Sequence, residues 1–202
     1  MKFGALVAVF SMACLAGHAH AQHVSCQTNY YSLKGETVRE LHESMRAMRR
    51  TGRVSHDGLT VWNVSWQFGT IHNGSSCRLG NFSTTTTIKI TLPHWIAPTN
   101  ASDVTKAEWA RYIKALGEHE YGHAQFALIA AGEIQKRVRG IGEDASCESL
   151  KQRVNGLCQS IVQTHKQMED TYDQRTEHGA TQGARLGRGW NRETNSPPRE
   201  GF

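Results

Sequence analysis

Apolar positions along the chain recur first with a period of two and later at helical spacing, and the change between them lays out the elements. From Val24 to Leu33 the residues suit a strand, with Tyr30 and Tyr31 near its end. Gly35 breaks it, and Thr37-Val38-Arg39-Glu40 is a capping box that opens a helix. Val38, Leu41, Met45 and Met48 predict one buried stripe on that helix, which Gly52 ends. Beyond the turn signal His56-Asp57-Gly58, Thr60, Trp62, Val64, Trp66 and Phe68 alternate with Val61, Asn63, Ser65 and Gln67. That strand has one heavily aromatic face, expected to lie against a helix. Asn73-Gly74 turns the chain. Thr84, Thr86, Ile88, Ile90 and Leu92 then predict a second alternating strand, stopped by Pro93.

The second half reads as helix. Thr105-Lys106-Ala107-Glu108 is another capping box, and Trp109, Tyr112, Leu116, Glu120, His123, Ala127, Ala130 and Ile134 keep the 3–4 spacing toward Arg139. Gly140 and Gly142 close it, and Cys147 to Thr171 is again mostly helical, with Asn155-Gly156 as an expected interruption. The expected architecture is α+β: a small antiparallel sheet packed on one long helix and a following helix.

Composition adds a compartment. Lys2, the apolar run Phe3–Ala16 and Ala19-His20-Ala21 make residues 1–21 an expected signal peptide, cleaved near Ala21. The product would be exported, periplasmic or extracellular, with one domain over 22–178 and a flexible Gly/Arg/Asn/Pro-rich tail over 179–202. Four cysteines follow the signal, and an even number in an exported chain favours two bridges. We expect Cys26–Cys77 and Cys147–Cys158, the second requiring the chain to fold back at Asn155-Gly156. The net charge of +5 is modest, and its densest patch (Arg46, Arg49, Arg50, Arg53) fits a solvated helix end. No nucleic-acid partner and no membrane anchor are expected. Oligomeric state leaves no trace in the sequence.

The chemistry sits in His119-Glu120-Tyr121-Gly122-His123, a single H-E-x-x-H on the long helix. Residues four apart share a helix face, so both imidazoles can reach one Zn2+, while Glu120 can serve as general base toward a water. A third ligand must come from elsewhere, because Phe126 and Ile129 occupy the later positions of the extended motif. On the returning helix we rank His178 first, Asp173 second, and Glu169 or His165 below them. If His178 binds, Asp173 would orient it. Tyr172 or Arg175 is a candidate oxyanion donor.

Tyr30-Tyr31, Gly35-x-Thr37, Glu40-Leu41, Trp62, Trp66, Leu92-Pro93-x-Trp95, the metal motif and Tyr172-Asp173-x-x-Thr176-x-His178-Gly179 together resemble a bacterial family. That family comprises secreted, predicted zinc-dependent proteases, long catalogued as a domain of unknown function. The resemblance implies a zincin-like fold and a zinc peptidase activity without naming a substrate. The strand Thr84–Leu92 would then be the cleft edge, taking an extended peptide or protein substrate by strand addition. Two other readings remain open: a non-catalytic exported module that binds zinc or a partner, and a zinc amidase acting on cell-wall peptides.

Overall fold

The structure is a computed structural model, and it describes residues 22–187. The expected signal peptide and residues 188–202 lie outside the described residues. In chain order the elements are β1 (Gln22–Leu33), α1 (Val38–Arg50), β2 (Leu59–Asn73), β3 (Ser76–Trp95), α2 (Asp103–Val138), α3 (Cys147–Thr176) and a 3-10 turn, Ala180–Gln182. Over the described residues the fold is α+β, with three strands in one sheet and three α-helices. None of the described helices is long and apolar enough to cross a membrane.

The sheet is mixed, which corrects the expected antiparallel one: its order is β1-β3-β2, with β3 antiparallel to β2 and parallel to β1. Chain path is the cause. Helix α1 and the loop after it stay at one end of the sheet, so β2 runs back opposite to β1. When β3 returns into the slot between them, it opposes β2 and so follows β1. Trp95 at its end donates from Nε1 to the Gly35 carbonyl at 2.9 Å, closing that corner. Pro93 ends the pairing with β2, whose last partner is Thr91, while β1 continues alongside through Trp95. Strand β3 is also central, so it offers no free edge for an added peptide strand.

The period-two reading holds in detail. Trp62 and Val64 on β2, and Thr84, Thr86, Ile88 and Ile90 on β3, are buried, whereas Thr85, Thr87 and Lys89 are exposed. Both strands run further than the alternation indicates, meeting in a hairpin at Gly74, and Cys77 lies at its tip.

Two clusters form the core. One joins the sheet to Ala124, Ala127, Ala130, Ala131 and Ile134 of α2 and to Leu150, Val154, Cys158 and Ile161 of α3. The small alanines let sheet and helices approach closely. The other gathers Tyr31 and Leu33, the α1 stripe Val38, Leu41 and Met45, and Trp109, Tyr112 and Leu116 of α2. The metal motif falls on α2 at the junction of the two.

Helix α3 is unbroken for 30 residues, so the expected interruption at Asn155-Gly156 is absent. Asn155 instead accepts a 2.8 Å hydrogen bond from Trp66 Nε1, and the buried stripe Val154, Cys158, Ile161 runs straight through. On such a helix Cys147 and Cys158 are about 16 Å apart, beyond bonding reach. The disulfide is Cys77–Cys147, with Cα atoms 5.0 Å apart, and both expected pairings are wrong. Reciprocal backbone bonds of 2.8 and 2.9 Å between Cys77 and Asp144 carry the hairpin tip to the start of α3. Cys26 is exposed and unbridged; Cys158 is buried, and burial pushes its thiol up to about 11.

Closing a loop over a separation of 70 residues restricts the unfolded chain by about 4 kcal/mol in the loop-entropy account. The double variant Cys77→Ser/Cys147→Ser should therefore melt well below the parent in a thermal scan, while Cys26→Ser should melt with it. Equal melting of all three would disprove the bridge.

Candidate metal centre

Helix α2 presents His119, Glu120 and His123, all nearly sealed from solvent at 2, 4 and 6% exposure. Asp173 comes from α3. His119 Nε2, His123 Nε2 and Asp173 Oδ1 converge: the two nitrogens are 3.1 Å apart, and the oxygen is 3.1 Å from the first and 3.0 Å from the second. Together they form a group able to hold a metal ion.

Each imidazole is fixed from behind. His119 Nδ1 lies 2.9 Å from Gln182 Oε1, and His123 Nδ1 lies 3.2 Å from Glu169 Oε1. Tyr172 stacks on the His119 ring at 5.0 Å and meets His123 edge-on at 5.2 Å. Gly122 makes that packing possible, since a Cβ there would overlap the Tyr172 hydroxyl. The close neighbour at this glycine is therefore a side chain of α3.

Glu120 faces the same cleft, one residue round the helix from His119. Its Oε2 accepts a 2.7 Å hydrogen bond from Thr60 Oγ1, and its carboxylate lies against Gly58, where a Cβ would collide with it. Burial raises its pKa above the usual carboxylate range. Burial also lowers the pKa of His119. For His123 burial acts in the same direction, but the carboxylates of Glu169, Asp173 and Glu120 outweigh it and raise the value. Glu169 is itself held low: burial opposes this, and His123 and Lys166 prevail.

Glu120, His119, His123, Asp173, Glu169 and His178 line one cavity of about 380 Å³, closed on the far side by Ser55–Thr60 and Arg49. Asp57 anchors that wall. It pairs with Arg49, accepts from Tyr112 Oη at 3.1 Å, and its backbone carbonyl accepts from Tyr31 Oη at 2.7 Å. The strand that opens onto the cleft is thus β2, not the Thr84–Leu92 strand expected from the sequence.

His178 is outside the converging group. Its side chain is 65% exposed, its Nδ1 lies 3.3 Å from the second oxygen of Asp173, and its ring stacks on His56 at 5.6 Å. The expected roles of His178 and Asp173 are therefore exchanged in position, with the histidine behind the carboxylate. Glu169 reaches His123 from behind, and His165 is occupied elsewhere, 3.0 Å from Glu133 Oε2. Arg175 is exposed, and Tyr172 Oη faces the His119 carbonyl and Gln182; neither lines the cavity. Nothing in the sequence ties Gln182, Thr60 or Gly58 to the site, because each acts through a contact made across the fold.

An α+β domain with two histidines of one helix and an aspartate of the next turned to a common point is, by fold and site, a candidate metalloprotein. The chain belongs to the family described as "Bacterial protein of unknown function (DUF922)", which matches over residues 28–179. No curated protein and no solved structure gives a significant match.

Proposed function

We propose that the protein is an exported zinc-dependent metallopeptidase of zincin-like build, with His119, His123 and Asp173 as ligands and Glu120 as general base. The observation that carries this reading is the convergence of His119 Nε2, His123 Nε2 and Asp173 Oδ1 within 3.0–3.1 Å of one another. With the rings neutral, Glu169, which only accepts, keeps the His123 proton on Nδ1 and leaves Nε2 bare, and Gln182 Oε1 does the same for His119. Three acceptors then face one another, and such a set calls for a cation, a metal ion or a proton, among its members. The edge of a tetrahedron with zinc–ligand arms of about 2.0–2.1 Å is about 3.3 Å, close to these separations. Two imidazoles and a carboxylate form a donor set that suits zinc.

Zinc, when bound, would supply Lewis acidity toward a water and a peptide carbonyl. Glu120, in the same cavity and steadied by Thr60, takes one proton from the attacking water. It delivers that proton to the amine nitrogen as the C–N bond breaks. An extended peptide would add to the free edge of β2, whose first residues, Leu59 and Thr60, line the cleft. The Cys77–Cys147 bridge fits an oxidising compartment, as export requires.

The test is metal removal. Purified protein should hold about one zinc per chain and digest casein. A chelator should abolish that activity, and added zinc should restore it. Cleavage of peptidoglycan fragments with casein left intact would move the reading to a cell-wall amidase, and zinc-replete protein inert on both would leave a binding module.

A further inference from the structure

After α3 the chain does something its sequence hardly announces. Glu177 and His178, neither of them glycine, take positive φ of 49° and 52°, and Gly179 follows at 81°. Consecutive left-handed residues turn the backbone sharply back under α2. Gly179 passes so close to His119 that a Cβ on it would sit 2.8 Å from the imidazole Cγ. The 3-10 turn then lifts Gln182 to His119 Nδ1.

The following residues are tied down along α2, with Ala184 at the wall of the cavity. Arg111 donates from Nη1 to the Gly183 carbonyl and from Nη2 to the Arg185 carbonyl, each at 2.7 Å. Glu108 holds Arg111 with two hydrogen bonds, at 2.9 and 2.7 Å, and accepts from Gly187 N at 2.6 Å. Leu186 is buried at 3% exposure in the α1–α2 cluster. Residues 179–187, expected to begin a flexible tail, are a strap latched to α2.

We infer that Gln182 is a positioning residue for the metal centre: carried by this strap, it sets which nitrogen of His119 is free to bind. The inference rests on reading His119, His123 and Asp173 as metal ligands. Glu169 leaves His123 no choice of tautomer, but an amide can present either end to a ring nitrogen. Tyr172 fastens the amide without choosing its end, its hydroxyl lying 3.1 Å from Gln182 Nε2 and 3.2 Å from Gln182 Oε1. The choice is made at His119, where the amide oxygen is the end that faces Nδ1, at 2.9 Å. The proton is held on Nδ1 and the Nε2 lone pair is turned to His123 and Asp173. With the amide reversed, Nε2 would carry the proton and could bind nothing. Gln182 lies beyond residues 28–179, over which the family matches.

The test compares zinc affinity of the wild-type full chain with Gln182→Ala and Gln182→Glu, by competition with a chromophoric chelator well below the melting temperature. Gln182→Ala should bind zinc roughly 10–100-fold more weakly, the usual effect of removing the outer partner of a ligating histidine. Its cobalt(II)-loaded form should show altered visible bands, because the ring is no longer held. Gln182→Glu keeps an acceptor facing Nδ1 and should retain wild-type affinity or exceed it. A purely structural role would lower the melting temperature of the metal-free protein and leave affinity and cobalt bands unmoved. That result overturns the inference and leaves the metallopeptidase reading intact. A wild-type chain that binds no zinc overturns both.

Discussion

Replacing Glu120 by glutamine should lower the turnover of a peptide substrate by about two to four orders of magnitude, the usual worth of a general base. Zinc content and KM should stay near those of the parent. Glutamine has the shape of glutamate and keeps an oxygen that can accept the 2.7 Å bond from Thr60 Oγ1. It also fits the space against Gly58. The fold should not suffer. Burial raises the Glu120 pKa, so in the metal-free protein the ionised carboxylate is destabilising at every pH above its unfolded value. A neutral amide relieves that cost, and the melting temperature of the metal-free variant should equal or exceed the parent's. Lost activity with bound zinc and an undiminished melting temperature would isolate proton transfer as the missing step. Undiminished turnover would remove Glu120 from the mechanism.

The second large effect separates Asp173 from its neighbour. Asp173→Ala removes one of the three converging donors and should abolish stoichiometric zinc in the purified protein. His178→Ala removes a group lying 3.3 Å from the other oxygen of Asp173. It should keep zinc, with affinity lowered roughly 10–100-fold. Measuring metal by atomic absorption after dialysis, beside a chelator titration, reads both. If His178→Ala loses its zinc and Asp173→Ala keeps it, the histidine is the ligand and the carboxylate its support.

Why the sequence favours His178 is a matter of local geometry. An unbroken helix that began its return level with the end of α2 would bring residues near His165 to the motif, yet Asp173 is the residue that arrives there. Residues 139–146 run outward to meet Cys77 before α3 begins, so the first turns of α3 extend past the end of α2. Within the segment Tyr172–Gly179, the choice between Asp173 and His178 depends on the left-handed turn at Glu177 and His178, which swings the imidazole behind the carboxylate. Gly179 signals its own positive φ; the two residues before it give no such sign.

The stripe on α2 was legible because one helix settles it: residues four apart share a face whatever surrounds them. The same locality made the alternation of β2 and β3 plain. Strand order, the parallel pairing of β1 and the Cys77–Cys147 bridge depend on which elements meet, and no local period encodes that. Cys77 was the hardest to place. No alternation marks the Arg78-Leu79-Gly80-Asn81 stretch beside it, yet it belongs to the second strand of a long hairpin.

Gly58 has a consequence in entropy. A glutamate side chain ordinarily samples several rotamers, and fixing it in one costs on the order of 1–2 kcal/mol each time it must be ordered. Here the missing Cβ of a residue 62 positions earlier in the chain leaves one compartment that takes the carboxylate, with Thr60 as its lid. The ordering is done once, when the chain folds, and need not be repeated at each encounter with a ligand. Any side chain at position 58 would fill that compartment and release Glu120 to search, without altering a single residue of the motif.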